Sequence, residues 1–273
     1  MPAGRRCHGR SPEHEAGIRG HRLAEDAGAG VIAAATGTHL SFSQLRTFVE
    51  CPRKWHYEKV EQAEPERVPA SLAFGSAVHA ACAAVNEAAM NGETVNAGNV
   101  FDCAWEPYTA ADATPLALGD DDEAAALAEK GRALVSIYKP PAGIVAVEQH
   151  VEVEIAPDLP PLVGYIDLLY QTADGLVVAD VKTSGTRVLS DVEMLAAQLA
   201  VYGRAFPVVR SEAIVLFKGK VPAQTIQGVQ PWPENRLRTW ATEVHAAMQA
   251  GVRFAHRSRN CRTCQFRDRC AAE

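Results

Sequence analysis

The apolar positions of the chain change rhythm at Pro140-Pro141. Before that pair they recur at helical spacing. Ser41 or Ser43 can cap a first helix carrying Leu45 and Phe48. Pro52 suits the first turn of a second, carrying Trp55 and Tyr57. An Ala-rich apolar pattern predicts a buried helix over 72–91, and another is expected over 123–138, with a less regular acidic stretch between them. After the pair come strand-like runs at 144–155, 162–170 and 175–182, the last two joined by a turn at Asp174-Gly175. A helix over 191–204 follows, then strands near 212–218 and 223–229. The Pro231–Pro233 pair precedes a long helix over 234–254. This order predicts an α/β fold with a central mixed sheet flanked by helices. Residues 1–38 show no sustained periodicity and are rich in Gly and Ala. They read as a disordered leader, leaving 39–273 as a single domain.

Composition narrows the class. With 273 residues, 47% of them apolar, the chain can bury a sizeable core. It has no run of about 18 apolar residues, so no membrane span is expected. The start is rich in Arg, His and Gly without an apolar segment behind it, unlike a secretory signal. The net charge of −6 still permits a local basic groove for phosphates. Acidic residues concentrate in 102–129, including Asp120-Asp121-Asp122-Glu123, and read as a solvated face. Arginines concentrate in 252–270. An odd count of seven cysteines favours a reducing cytoplasm over a disulfide framework.

The chemistry centres on Gly164-Tyr165-Ile166-Asp167 and Asp180-Val181-Lys182-Thr183. Strand alternation puts Asp180 and Lys182 on one face. If the two strands form a hairpin, Asp167 can approach them. Two carboxylates can then hold a hard divalent ion, which polarises a phosphate and acidifies a bound water. A nearby lysine orients that water and stabilises developing charge. The plainer reading of Asp-x-Lys is a surface ion pair, but the apolar run Leu176-Val177-Val178-Ala179 marks a buried strand. His79 stands inside an otherwise apolar helix, as a core histidine or a metal ligand. Gln198 and Tyr202 lie one helical turn apart. They form either a half-buried polar stripe or a pair positioning Lys182 and the DNA backbone.

Five features in this order resemble the RecB-type branch of the PD-(D/E)XK nucleases: Cys-Pro near the start, Gly-x-x-x-His, Gly-x-Ile-Asp, Asp-x-Lys-Thr and Gln-x-x-x-Tyr. The match runs from about Leu40 to Cys270. It implies a restriction-endonuclease-like core. It implies that His79, Asp167 and Asp180 bind Mg²⁺ or Mn²⁺ with the Val181 carbonyl assisting, that Lys182 is the catalytic lysine, and that Gln198 and Tyr202 complete the site. Such sites often add a glutamate before the Gly-x-Ile-Asp strand, and Glu148, Glu152 and Glu154 compete for that place.

The tail carries Cys261, Cys264 and Cys270 as Cys-x₂-Cys-x₅-Cys. Soft thiolates select zinc or iron–sulfur clusters. The fourth ligand could be Cys7, Cys51, Cys82 or Cys103. Cys51 stands out because Pro52 and aromatics follow it. The spacing is similar to that of AddB-type helicase–nuclease subunits and CRISPR-associated exonucleases. That likeness implies a [4Fe–4S] cluster on Cys51, Cys261, Cys264 and Cys270, with zinc on the same ligands as the alternative. Arg53, Lys54, Trp55 and Tyr57 could then line a mouth for single-stranded DNA, the alternative being that Trp55 and Tyr57 belong to the core. The expected activity is a DNA exonuclease acting on single strands or ends in repair, recombination or CRISPR adaptation. The alternatives are a subunit dependent on a helicase partner, since no P-loop motif is present, and a non-catalytic DNA-binding adaptor.

Overall fold

The computed structural model describes residues 40–119, 123–189 and 192–273. The expected leader, with Cys7, and the acidic residues 120–122 lie outside them. A six-stranded mixed sheet forms the centre. Its strands are β1 (Leu40–Ser41), β4 (Ile144–Val153), β5 (Leu162–Thr172), β6 (Gly175–Ser184), β7 (Val208–Phe217) and β8 (Ala223–Gly228). β2 (Val68–Pro69) and β3 (Leu116–Ala117) make a separate parallel pair. β4 runs antiparallel to β5 along one edge. The other edge of β5 is shared: β1 pairs with its start, at Leu162 and Val163, and β6 with its end, from Leu168 to Thr172. β6 and β7 are parallel, and β8 returns antiparallel.

Each face of the sheet has its own core. One is built with α1 (Phe42–Glu50), α2 (Pro52–Trp55), α6 (Glu193–Ala205) and α7 (Glu234–Gln249). The other is built with α3 (Ala70–Met90), α4 (Ala97–Trp105) and α5 (Ala124–Ser136). Strand alternation divides β6 and β7 between them: Val178, Ala213 and Val215 face the first, and Val177, Ala179, Val181, Ile214 and Leu216 the second.

Ser41 is the residue that caps α1, accepting from the Gln44 N–H at 3.1 Å. A π-helical turn, His56–Val60, extends α2. The expected helix over 234–254 stops at Gln249, because Gly251 adopts φ +70° and ends it in a left-handed turn. Helix α4 lies in the acidic stretch where no regular pattern was visible. Its Asn96 cap accepts from the Asn99 N–H at 3.0 Å, and it buries only Phe101 and Trp105. Those rings pack on Phe74, at 6.2 and 6.5 Å between centroids, contacts worth about 0.5–1.5 kcal/mol each beyond area burial. β7 starts four residues earlier than expected, since Pro207 and the exposed Val209 obscure its alternation. Among the described residues, no helix is long and apolar enough to cross a membrane.

Candidate functional site

The sheet forks at Asp167. Backbone pairing of β5 with β6 ends at Leu168↔Ala179, and β1 takes over only at Val163 and Leu162. In the gap, Asp167 Oδ2 accepts the Val181 N–H at 2.7 Å. A side chain thus takes the place of a ladder bond and ends up inside the sheet. Alternation also switches here. Ile166 packs in the first core and Leu168 in the second, although a regular strand would put both on one face. β4 switches at the same level: Val147 packs against the second core and Val151 in the first. Between them Glu148 takes φ +49°, a left-handed conformation that costs a non-glycine residue on the order of 1–3 kcal/mol. The pairs Val147↔Leu168 and Gln149↔Ile166 put Glu148 opposite Asp167.

This twist gathers donors. One ligand atom each from His79, Glu148 and Asp167 lie within 4.8 Å of one another. His79 Nε2 is 3.5 Å from Asp167 Oδ2 and 2.5 Å from the Val181 carbonyl oxygen. The choice among three glutamates therefore falls on Glu148. Asp180 lies outside that group, with 1% of its surface exposed. Neither of its carboxylate oxygens has an aligned hydrogen-bond donor, although Lys182 Nζ approaches to 2.6 Å as an ion pair. Burial raises the Asp167 carboxyl well above the carboxylate range and the Asp180 charge adds to this, while His79, Lys182 and the Val181 N–H only partly offset it. Burial lowers the Lys182 ammonium, and Asp180 and Asp167 more than reverse this, so it stays charged. Crowded carboxylates with unsatisfied oxygens, an imidazole and a carbonyl fit a divalent cation.

Gln198 Nε2 donates to Tyr202 Oη at 2.9 Å. Tyr202 is buried, and its ring lies on Gly164, where a methyl group would stand 3.1 Å from Cε1. The glycine of Gly-x-Ile-Asp is thus explained by the tyrosine of Gln-x-x-x-Tyr. The pair supports β5 from behind, at the fork.

A model of the PD-(D/E)XK nuclease superfamily matches residues 39–271. The chain belongs to this superfamily. Members are metal-dependent nucleases, and the His79, Glu148 and Asp167 group offers this one a metal site. A solved structure described as "Crystal structure of SSO0001" is similar at 15% identity and a TM-score of 0.45, covering 86% of this chain and 87% of that one. Likeness at that level carries no argument about activity. A search of curated proteins found no significant match.

The nuclease site opens into a cleft of about 770 Å³. Arg46, paired with Glu50, and Lys182, paired with Asp180, line it together with Glu148 and His79, and Ser71, Ser76 and Thr183 add hydroxyls. Gly75 also lines it, and a methyl group there would meet no protein atom within 4 Å.

A second cavity lies elsewhere in the nuclease, and Cys51, Cys261, Cys264 and Cys270 all line it. Cys82 is buried in α3 instead, and Cys103 lies in α4. The tail docks on the segment after α1 through hydrogen bonds, and the thiols of both line the cavity between them. The Arg53 N–H donates to the Phe254 carbonyl at 3.2 Å, and Gln265 Nε2 to Glu58 Oε1 at 2.8 Å. Glu66 accepts from the Asp268 and Arg269 N–H groups that open α8 (Arg267–Ala272). Of the two readings of the aromatics here, mouth and core, the structure favours the core. Trp55 and Tyr57 are each 2% exposed, packed on Phe48 and Phe266. Their rings complete the core, and Arg269 covers Tyr57.

Proposed function

We propose that this nuclease is a DNA exonuclease working on single strands or DNA ends, formed as one domain over 39–273. The observation that carries the reading is the gathering of His79, Glu148 and Asp167 near Lys182, at a wide cleft lined by His79, Glu148, Lys182 and Arg46. His79, Glu148, Asp167 and the Val181 carbonyl would hold Mg²⁺ or Mn²⁺, with Asp180 close behind. The imidazole favours Mn²⁺ of the two. When bound, the ion polarises the scissile phosphate and lowers the pKa of water. Lys182 is the catalytic lysine, held charged by Asp180 to orient the attacking water and balance phosphoryl charge. Arg46 holds a neighbouring phosphate. Gln198 and Tyr202 position β5 through Gly164.

The four thiols would hold a [4Fe–4S] cluster with a structural role in a reducing cytoplasm. Arg53, Lys54, Arg257 and Arg267 around the cavity suit a net-negative thiolate assembly.

Purified protein with Mn²⁺ is expected to degrade single-stranded DNA from an end, and Lys182→Ala to abolish this. Undiminished cleavage by a clean Lys182→Ala protein would sink the assignment. Cleavage only after adding a helicase partner from a repair, recombination or CRISPR adaptation system would make the chain a dependent subunit. Metal-independent binding without cleavage would make it an adaptor. Anaerobically purified protein is expected to be brown, and a colourless protein with one zinc would overturn the cluster.

A further inference from the structure

We infer that Tyr165, with His150 beside it, is a stacking platform for one unpaired base of the nucleic acid held at the metal ligands. The inference rests on the nuclease reading above and deepens it, because a stacking site selects an unpaired nucleotide. Register carries the argument. Glu148 stands opposite Asp167, and two pairs further along the same ribbon comes His150↔Tyr165. The step from ligand pair to aromatic pair is two residues, about 7 Å along each strand, within the reach of one nucleotide.

The face is settled by the neighbours. Gly164 lies under Tyr202 of α6, and Ile166 packs in the first core. Tyr165 between them therefore points to the other face, the side on which α3 lies. There the second core reaches along the ribbon only as far as Val147 and Leu168. Tyr165 is 45% exposed, and His150 is exposed too. Their rings touch edge to face, with centroids 5.1 Å apart at 64°. A single exposed aromatic side chain is ordinary on a protein surface. Two in contact, in register with the donors of a nuclease site, form a fixed apolar shelf beside the cleft. Each face of a nucleobase is aromatic, so stacking on such a shelf is sequence-tolerant. The aromatic rings around the thiol cavity, being buried, cannot serve instead.

The test uses the full chain with Ca²⁺ in place of the catalytic metal, so that DNA binds without being cut. Single-stranded oligonucleotides carrying 2-aminopurine at successive positions are titrated and followed by fluorescence and anisotropy. The wild-type protein is expected to quench the probe at one position near the bound end. Tyr165→Ala is expected to lose that quenching and to bind roughly 5- to 150-fold more weakly, the range of one base stack. Tyr165→Phe should stay within about twofold of wild type, and blunt duplex should bind both variants as it binds wild type. Unchanged melting temperature and unchanged Mn²⁺ titration are the expected controls. Equal affinity of wild type and Tyr165→Ala overturns the platform. So does a loss in Tyr165→Phe as large as in Tyr165→Ala, which would assign a hydroxyl contact. So does an equal loss on duplex. A wild-type protein that binds no DNA at all overturns the nuclease reading itself, a different result from failure of the platform.

Discussion

The cleft and the thiol cavity are opposite solutions to holding a charged group. The cleft is wide, and its donors are oxygen and imidazole nitrogen on strands and a helix that the sheet already holds in place. The cavity is narrow, about 40 Å³, and its donors are sulfurs from segments about 210 residues apart. Behind the cleft two carboxylates, Asp167 and Asp180, repel each other, and the buried Asp180 has Lys182 as its ion-pair partner. Around the cavity Arg53, Gln265 and Glu66 make hydrogen bonds across the clasp. Removing a group from the cleft should therefore harm chemistry more than folding. Removing one from the cavity should do the reverse.

The sharpest way to break this contrast is the Asp180–Lys182 pair. Lys182→Ala should cut turnover by at least about 10²–10³-fold. It also strands a buried carboxylate, costing about 2–3 kcal/mol at this partly exposed lysine. Asp180→Asn should lose comparable activity with an unchanged or higher melting temperature, because it removes repulsion on Asp167. Kinetics and thermal melting of both proteins check the pair, and a sharply destabilised Asp180→Asn would contradict it.

Next in size, Cys264→Ser should bleach the visible absorption and lower the melting temperature by roughly 10 °C, at about 2–4 °C per kcal/mol. Activity per folded molecule should persist at permissive temperature. Loss of activity without loss of stability would join the two regions rather than separate them.

Gly75→Ala tests the cleft alone. A helix-interior glycine costs about 0.5–1 kcal/mol relative to alanine, and no protein atom occupies the space it leaves. The variant should melt higher yet cleave about tenfold or more slowly, since small displacements of a substrate are costly. The smallest effect belongs to Gly164→Ala, whose methyl group must push on Tyr202. About 1 kcal/mol of overpacking is expected, with activity falling as β5 shifts, measurable by denaturant titration and turnover.

The long periodic segments were legible in the sequence, as was the chemistry of Asp-x-Lys. Alternation put Asp180 and Lys182 on one face, and there the strand is regular. Glu148 was not legible. Glu152 stands on the same strand and Glu154 just beyond its end, with the same chemistry, and only the face switch at φ +49° singles out Glu148. A two-residue period contains no mark of its own interruption. Helix α4 was missed because two aromatic anchors in nine residues make too sparse a stripe. For Trp55 and Tyr57 the sequence left core and mouth both open, since the rings that cover them, Phe48 and, across the fold, Phe266, are not marked in the local pattern.

The fork has a consequence for motion. Val181 gives its amide hydrogen to a side chain, where the residues before it give theirs to a neighbouring backbone. Its protection from solvent exchange thus depends on one carboxylate keeping its place. That single amide should report, on the timescale of hydrogen exchange, whether the two halves of the sheet are latched or parted.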